Sequence, residues 1–220
     1  MLNINKGNKA KVEIDEGQYI GTPVMIIDLG QQFQTDWQSG DVQTWADGNP
    51  KIQNEVFISF SLLTQPYVSE EGDEGYVRVG KTFTVSSHEK AAVVALMKAA
   101  GCKSTELTEL IGKAVLVDVG HTATGNPKIR GFSKVGNKVL VGDDVVSVPA
   151  LLQSAPDCIV FDRDDPDEDV LEGLPDFLKQ KINDQASRAK YVEMKKGKSA
   201  EKQKQTEQEV EDILDDVIPY

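Results

Sequence analysis

Histidine and cysteine are scarce in this 220-residue sequence, two of each, and what there is lies too scattered for the chemistry that depends on clusters of them. Cys102 and Cys158 stand in unrelated contexts without a second ligand set, so neither a disulfide framework nor a zinc site is expected, and a reduced, cytoplasmic setting fits. His88 and His121 have no carboxylate or cysteine at a ligand spacing, which leaves them surface or capping roles. Long apolar runs are missing as well. Nothing approaches the roughly 20 apolar residues of a membrane span, and MLNINKGNKAKVEIDEG lacks the apolar centre of a secretory leader, so a soluble intracellular chain is expected. There is no Walker loop, nucleophile elbow or metal-protease helix. The acidic turns GDEG and VGDD do not by themselves make a magnesium site. Catalytic residues, a metal and a cofactor are therefore not expected.

Apolar residues make up 39% of the chain, a little below the usual globular share, and they are unevenly spread. Residues 12–161 hold nearly all the β-branched and aromatic side chains, whereas 162–220 are rich in Asp, Glu, Lys and Gln. The net charge of −12 follows the same division: residues 101–150 carry six Lys or Arg against five Asp or Glu, and 151–220 carry ten against eighteen. An acidic total opposes phosphate binding, which needs local positive charge to release counterions, but a body freed of its C-terminal acids is only mildly acidic and leaves room for a basic strip.

The body reads as short strands and one convincing helix. A first strand at Gly17 to Leu29 contains the run Val24, Met25, Ile26, Ile27, as in a segment buried on both faces or bent. Residues 30–51 are polar, carry Gly and Pro, hold Trp37 and Trp45, and form a long loop of the kind that is usually functional or disordered. A second strand, Gln53 to Leu63, sets Val56, Ile58, Phe60 and Leu62 against Phe57, Ser59 and Ser61. A third, Tyr76 to Ser86, sets Val77 and Val79 against Tyr76 and Arg78, with Gly80 as a bulge or bend. Ser87 is a suitable N-cap for a helix from His88 to Ala100, and Gly101 a suitable stop. A helical turn in STELTELIG follows, then strands at Lys113 to Gly120 (Val115, Val117 and Val119 inward), Lys128 to Val135 and Lys138 to Val141.

That order, β-β-β-α-β-β, is the order of the five-stranded oligonucleotide-binding (OB) barrel, with its helix between strands three and four and its nucleic-acid face on strands two and three. The fold expected is mainly β: an OB-type barrel over residues 1–160. A charged linker follows over 161–205, with a short helix near 174–183 carrying Leu174, Phe177, Leu178 and Ile182, and then a disordered acidic tail over 206–220. From Ala186 to Gln208 most residues are charged or amide-bearing, a composition that does not order itself.

Two patterns point to function. In KIRGFSK, alternation puts Lys128, Arg130, Phe132 and Lys134 on one face. Cations flanking a ring suit a binder of unpaired nucleic acid, where charge tracks the backbone and each stacked base adds about 1–3 kcal/mol. Tyr76, Arg78 and Lys81 repeat the theme, Phe57 faces the same way, and Trp37 and Trp45 lie in the loop where an OB barrel holds its strand. The second pattern is the ending EVEDILDDVIPY, an acidic run that closes on apolar residues. This tip resembles the C-terminus of bacterial and phage single-stranded DNA-binding proteins, which in bacteria ends Asp-Asp-Asp-Ile-Pro-Phe.

The resemblance implies that Asp215 and Asp216 supply charge, Ile218 and Pro219 a stiff apolar wedge, and Tyr220 the anchor for a pocket on a replication or recombination protein such as a polymerase, helicase, primase or nuclease. Val217 stands where a third Asp would, and Tyr220 where the last Phe would, departures that bear on which partner is taken. Burying three such side chains removes roughly 200–300 Å² from water, about 5–7 kcal/mol gross. Ordering the tail offsets much of that, so weak, exchangeable binding is expected. The body carries no recognisable bacterial sequence, which makes a bacteriophage type the expectation, in the host cytoplasm, possessing no enzymatic activity. The alternatives are a single-strand annealing recombination protein and a protein-binding adaptor that ignores DNA.

Overall fold

The β-branched run in the first strand is buried on both faces, and the strand changes partners along its length. In the computed structural model β1 spans Gly17–Phe33. Its first residues, Gly17 to Gly21, pair antiparallel with β4 (Val115–His121), and Met25 to Ile27 pair parallel with β8 (Ile159–Phe161). Val24, Ile26, Ile27 and Leu29 are all buried. Gly21 permits the close crossing with β4, since a Cβ there would fall 2.5 Å from Val117 Cγ2.

Residues 14–36, 38–68, 72, 74–141 and 144–196 are described. They fall into two compact units, one within 1–29 and 55–179 and the other within 30–54 and 180–220. The chain is mainly β. A sheet runs in the order β3-β2-β1-β4-β5, with β8 added beside β1; β2 is Ile52–Val68, β3 Glu74–Thr84 and β5 Pro127–Lys134. The helix α1 (Ala92–Ala99) lies between β3 and β4 in the chain, as expected. The hydrogen-bonded path stays open between β3 and β5, so the sheet does not close into the expected barrel.

In the first unit, alternation builds the core. Val56, Ile58, Phe60 and Leu62 of β2, Val77, Val79 and Phe83 of β3, Val115, Val117 and Val119 of β4, and Val93, Leu96 and Met97 of α1 form its centre. Each such side chain contributes about 1.5–3 kcal/mol by leaving water. The opposite face of β2 is not solvent-facing, however, because Ser59 and Ser61 are also buried. The helix starts later than the sequence suggests. Ala91 precedes it with no side-chain cap, while His88 to Ala91 form a turn in which the Ala91 amide donates to the His88 carbonyl. Gly101 ends it in the left-handed region (φ 70°).

Beyond β5 the expected strand at Lys138–Val141 is present, and the structure adds further short elements that periodicity could not reveal. Strands β6 (Lys138–Val141) and β7 (Asp144–Ser147) make a separate hairpin, followed by α2 (Val148–Gln153), β8 and α3 (Glu168–Gly173), whose N-cap Asp167 accepts from the Asp169 and Val170 amides. In α4 (Asp176–Asn183), Leu178 and Ile182 continue a buried stripe begun by Leu174, and Phe177 departs from it.

The second unit orders a segment that composition leaves unordered. Residues 188–196 are helical, with Ala186 and Tyr191 buried. The Ala186 amide donates to the Gln31 carbonyl (2.9 Å), Gln32 Nε2 donates to the Lys181 carbonyl (2.9 Å), and the Tyr191 ring meets Phe33 at 6.2 Å. One aromatic contact and a few backbone bonds supply what the charged residues lack.

Candidate functional site

Strict alternation fails along β5. Val119 pairs with Ile129 and Asp118 with Gly131, which leaves Arg130 as the extra residue of a bulge. The bulge lets both Ile129 and Phe132 face inward. Phe132 is half-buried against Phe60 (5.3 Å between ring centres) and Phe83 (5.9 Å), so it is a packing ring rather than a member of an exposed face with its neighbouring cations. Lys128, Arg130 and Lys134 are exposed.

A similar division holds on β3. Tyr76 and Arg78 share one face, but Lys81 alternates with Val79 and Phe83 and points inward, at the open edge between β3 and β5. Its Nζ donates to the Ile129 carbonyl across that edge (3.3 Å) and lies 5.7 Å from the centre of the Phe83 ring. Burial, and then repulsion from Lys128, hold the Lys81 pKa below the ordinary lysine value. Tyr76 is half-buried, its hydroxyl sharing a hydrogen bond with Ser154 Oγ at 2.9 Å and its ring packed against the cluster of Ile20, Leu63 and Val148. Arg78 is exposed with no salt bridge among the described residues.

These strands border an open groove of about 510 Å³, lined by Gly80, Lys81, Pro127, Lys128, Ile129 and Arg130. Three cations converge there. Arg130 is already engaged: its Nη2 donates to Glu16 Oε2 (2.9 Å) and to the Val119 carbonyl (3.1 Å), and its Nε lies 3.6 Å from Asp118. Glu16 is held below the usual carboxylate range, first by the hydrogen bond from the His121 amide (3.1 Å) and then by Arg130. Lys128 has no salt bridge among the described residues, and with Lys81 it leaves unneutralised positive charge in the groove.

Phe57, on β2, lies across the β3 rim of this groove. Its ring rests over Gly80, where a Cβ would fall 2.4 Å from Cζ, so only glycine leaves room for it. Gly80 pairs with Ser59 in regular register and is neither bulge nor bend; the ladder shifts instead between Ser61 and Pro66. Phe57 also meets Phe177 nearly at right angles, 5.7 Å between ring centres. In the sequence Phe177 is visible only as part of a helical apolar face; its break from the four-residue spacing of Leu174, Leu178 and Ile182 is the signal that sets it apart.

In the second unit the loop after β1 is ordered. Bridges join Thr35 to Val42 and Thr44 to Pro50, and Asp36 and Asp47 accept amide hydrogens at its two turns. Trp45 is 56% exposed, and Lys51 Nζ lies 5.1 Å from its ring centre, a cation–π pair. Trp37, together with Asp215, Asp216, Ile218, Pro219 and Tyr220, lies outside the described residues.

Both cysteines are free, with burial raising the Cys102 thiol and pushing Cys158 up to about 11. Among the described residues no group of three His, Cys, Asp or Glu gathers as metal ligands would, and no helix is long and apolar enough to cross a membrane. No protein family, curated protein or solved structure matches the chain.

Proposed function

We propose that this chain is a single-stranded DNA-binding protein of bacteriophage type that coats unpaired strands during replication, recombination or repair and recruits enzymes through its C-terminal tip. The observation that carries the reading is the groove between β3 and β5, where Lys81 and Lys128 present charge that no acidic side chain among the described residues neutralises. A phosphodiester backbone supplies the missing anions, and the release of counterions favours its binding.

On this reading the open sheet is an OB-type barrel whose β3 and β5 edges approach through the Lys81–Ile129 bond and the Phe83–Phe132 contact. The acidic tip has two roles on this reading. Its carboxylates mimic phosphate and compete for the cations, while Ile218, Pro219 and Tyr220 seek a partner's pocket.

The test is titration of oligo-dT at low salt, read by electrophoretic shift and by quenching of tryptophan fluorescence. Saturable binding is expected, tightened by deletion of residues 206–220. Failure to shift oligo-dT in dilute buffer would favour the protein-binding adaptor.

A further inference from the structure

The ring pair Phe57–Phe177 is explained neither by the core nor by the cations. Phe177 is 54% exposed, although its segment is already anchored by Leu174 and Leu178, which are 4% and 0% exposed. A phenyl ring left mostly in water gives up most of the stabilisation its burial would bring. Its surroundings nevertheless hold it in a defined attitude: the ring stands at 81° to Phe57, and Phe57 is seated over the bare backbone of Gly80. Edge-to-face contact of this kind fixes a ring while leaving part of its face open. Gly80 is at once the seat of Phe57 and part of the groove wall beside Lys81. Gly80 therefore joins the ring pair, packed on one side of β3, to the groove wall that carries the uncancelled positive charge.

We propose that Phe57 and Phe177 form a base-stacking platform for an unpaired strand whose phosphates lie along Lys81, Lys128 and Arg130. This rests on the single-stranded DNA-binding reading and assigns the bases a place in that site. The recognition is one of π-surface, so it tolerates any base. Phe177 is the ring to which a base adds, and Phe57 is its support, held in turn by the absence of a side chain at position 80. The platform also gives a function to the segment after β8, which supplies Phe177 and lies outside the strands that form the groove.

The experiment compares two ligands of equal length, oligo-dT and the same sugar-phosphate chain without bases, on the full chain at low salt. The proteins are wild type, Phe177→Ala, Phe177→Leu and Phe177→Trp, with thermal melting as the folding control. The platform predicts that Phe177→Ala and Phe177→Leu weaken oligo-dT binding by about tenfold, equivalent to about 1.4 kcal/mol. Affinity for the base-free chain stays unchanged, and Phe177→Trp restores oligo-dT binding. Equal loss on both ligands, or no loss on either, would overturn the platform and leave DNA binding standing. Wild type that binds neither ligand would overturn the single-stranded DNA-binding reading, and the platform with it.

Discussion

The groove between β3 and β5 and the loop carrying Trp45 both set a ring beside a lysine that donates to a neutral oxygen, but only the groove gathers further cations beside it. In the loop, Lys51 lies over the Trp45 ring and reaches Gln43 Oε1 at 3.4 Å. In the groove, Lys81 is partly desolvated and pressed by Lys128, so its charged form is held at a disadvantage that an incoming anion relieves. A ring and a cation in proximity, then, do not by themselves make an anion site. What matters is whether a second cation stands beside the first, as Lys128 does beside Lys81. On the proposed reading the groove would supply the electrostatic part of DNA binding, and the loop at most a stacked base.

The largest effect should come from reversing the groove's charge. Lys81→Glu with Lys128→Glu is expected to weaken oligo-dT binding by well over tenfold at low salt and to lower the slope of log affinity against log salt by about 0.7 for each phosphate no longer neutralised. A smaller loss than that of Trp45→Ala would reverse the ranking of groove and loop. For Trp45→Ala a loss of about fivefold is expected, within the range of one stacked base, with the salt slope unchanged, because the side chain removed carries no charge.

Phe132→Leu is expected to lower the melting temperature, in line with a core change of about 1 kcal/mol, while affinity stays within about twofold. An affinity loss matching that of Trp45→Ala would return Phe132 to the binding surface. Least of all should change with Glu16→Gln. The carboxylate's pKa is depressed in the fold, so its stabilising contribution is complete above the ordinary carboxylate range and is lost as pH falls through the lowered value. The variant should lose part of the acid-side fall in stability seen in wild type. It should also bind oligo-dT slightly more tightly at neutral pH, since Arg130 is released; weaker binding would mean that Glu16 positions Arg130 rather than occupies it.

Much of the fold is legible in the sequence where one physical rule acts alone. Val115, Val117 and Val119 alternate cleanly, and all three are buried; the hairpin strand Lys138–Val141 falls within its expected limits. The order of five strands with a helix after the third is readable for the same reason. Reading fails where a second rule intervenes. The bulge at Arg130 turns Phe132 inward, and Gly131, next to it, is the available clue in KIRGFSK. Gly80 reads as a break in the strand, whereas its role is to make room for Phe57, which depends on how the neighbouring strand β2 pairs with β3.

Elements of three to six residues, such as α2, β8 and α3, are too short to show a period. The helix at 188–196 owes its place to Tyr191, a single ring among charges that composition averages away. The candidate site is accordingly half legible: the cations Lys81, Lys128 and Arg130 can be named from sequence, but not that Glu16 engages one of them or that Phe177 meets the Phe57 ring seated over Gly80.

The decisive experiment is the affinity of the full chain for oligo-dT across a salt series, with wild type set against Lys81→Glu with Lys128→Glu. A groove that binds through its uncancelled cations gives a log–log line that falls with salt in wild type and flattens in the variant. Wild-type binding independent of salt, or a variant with unchanged affinity and slope, is incompatible with such a groove.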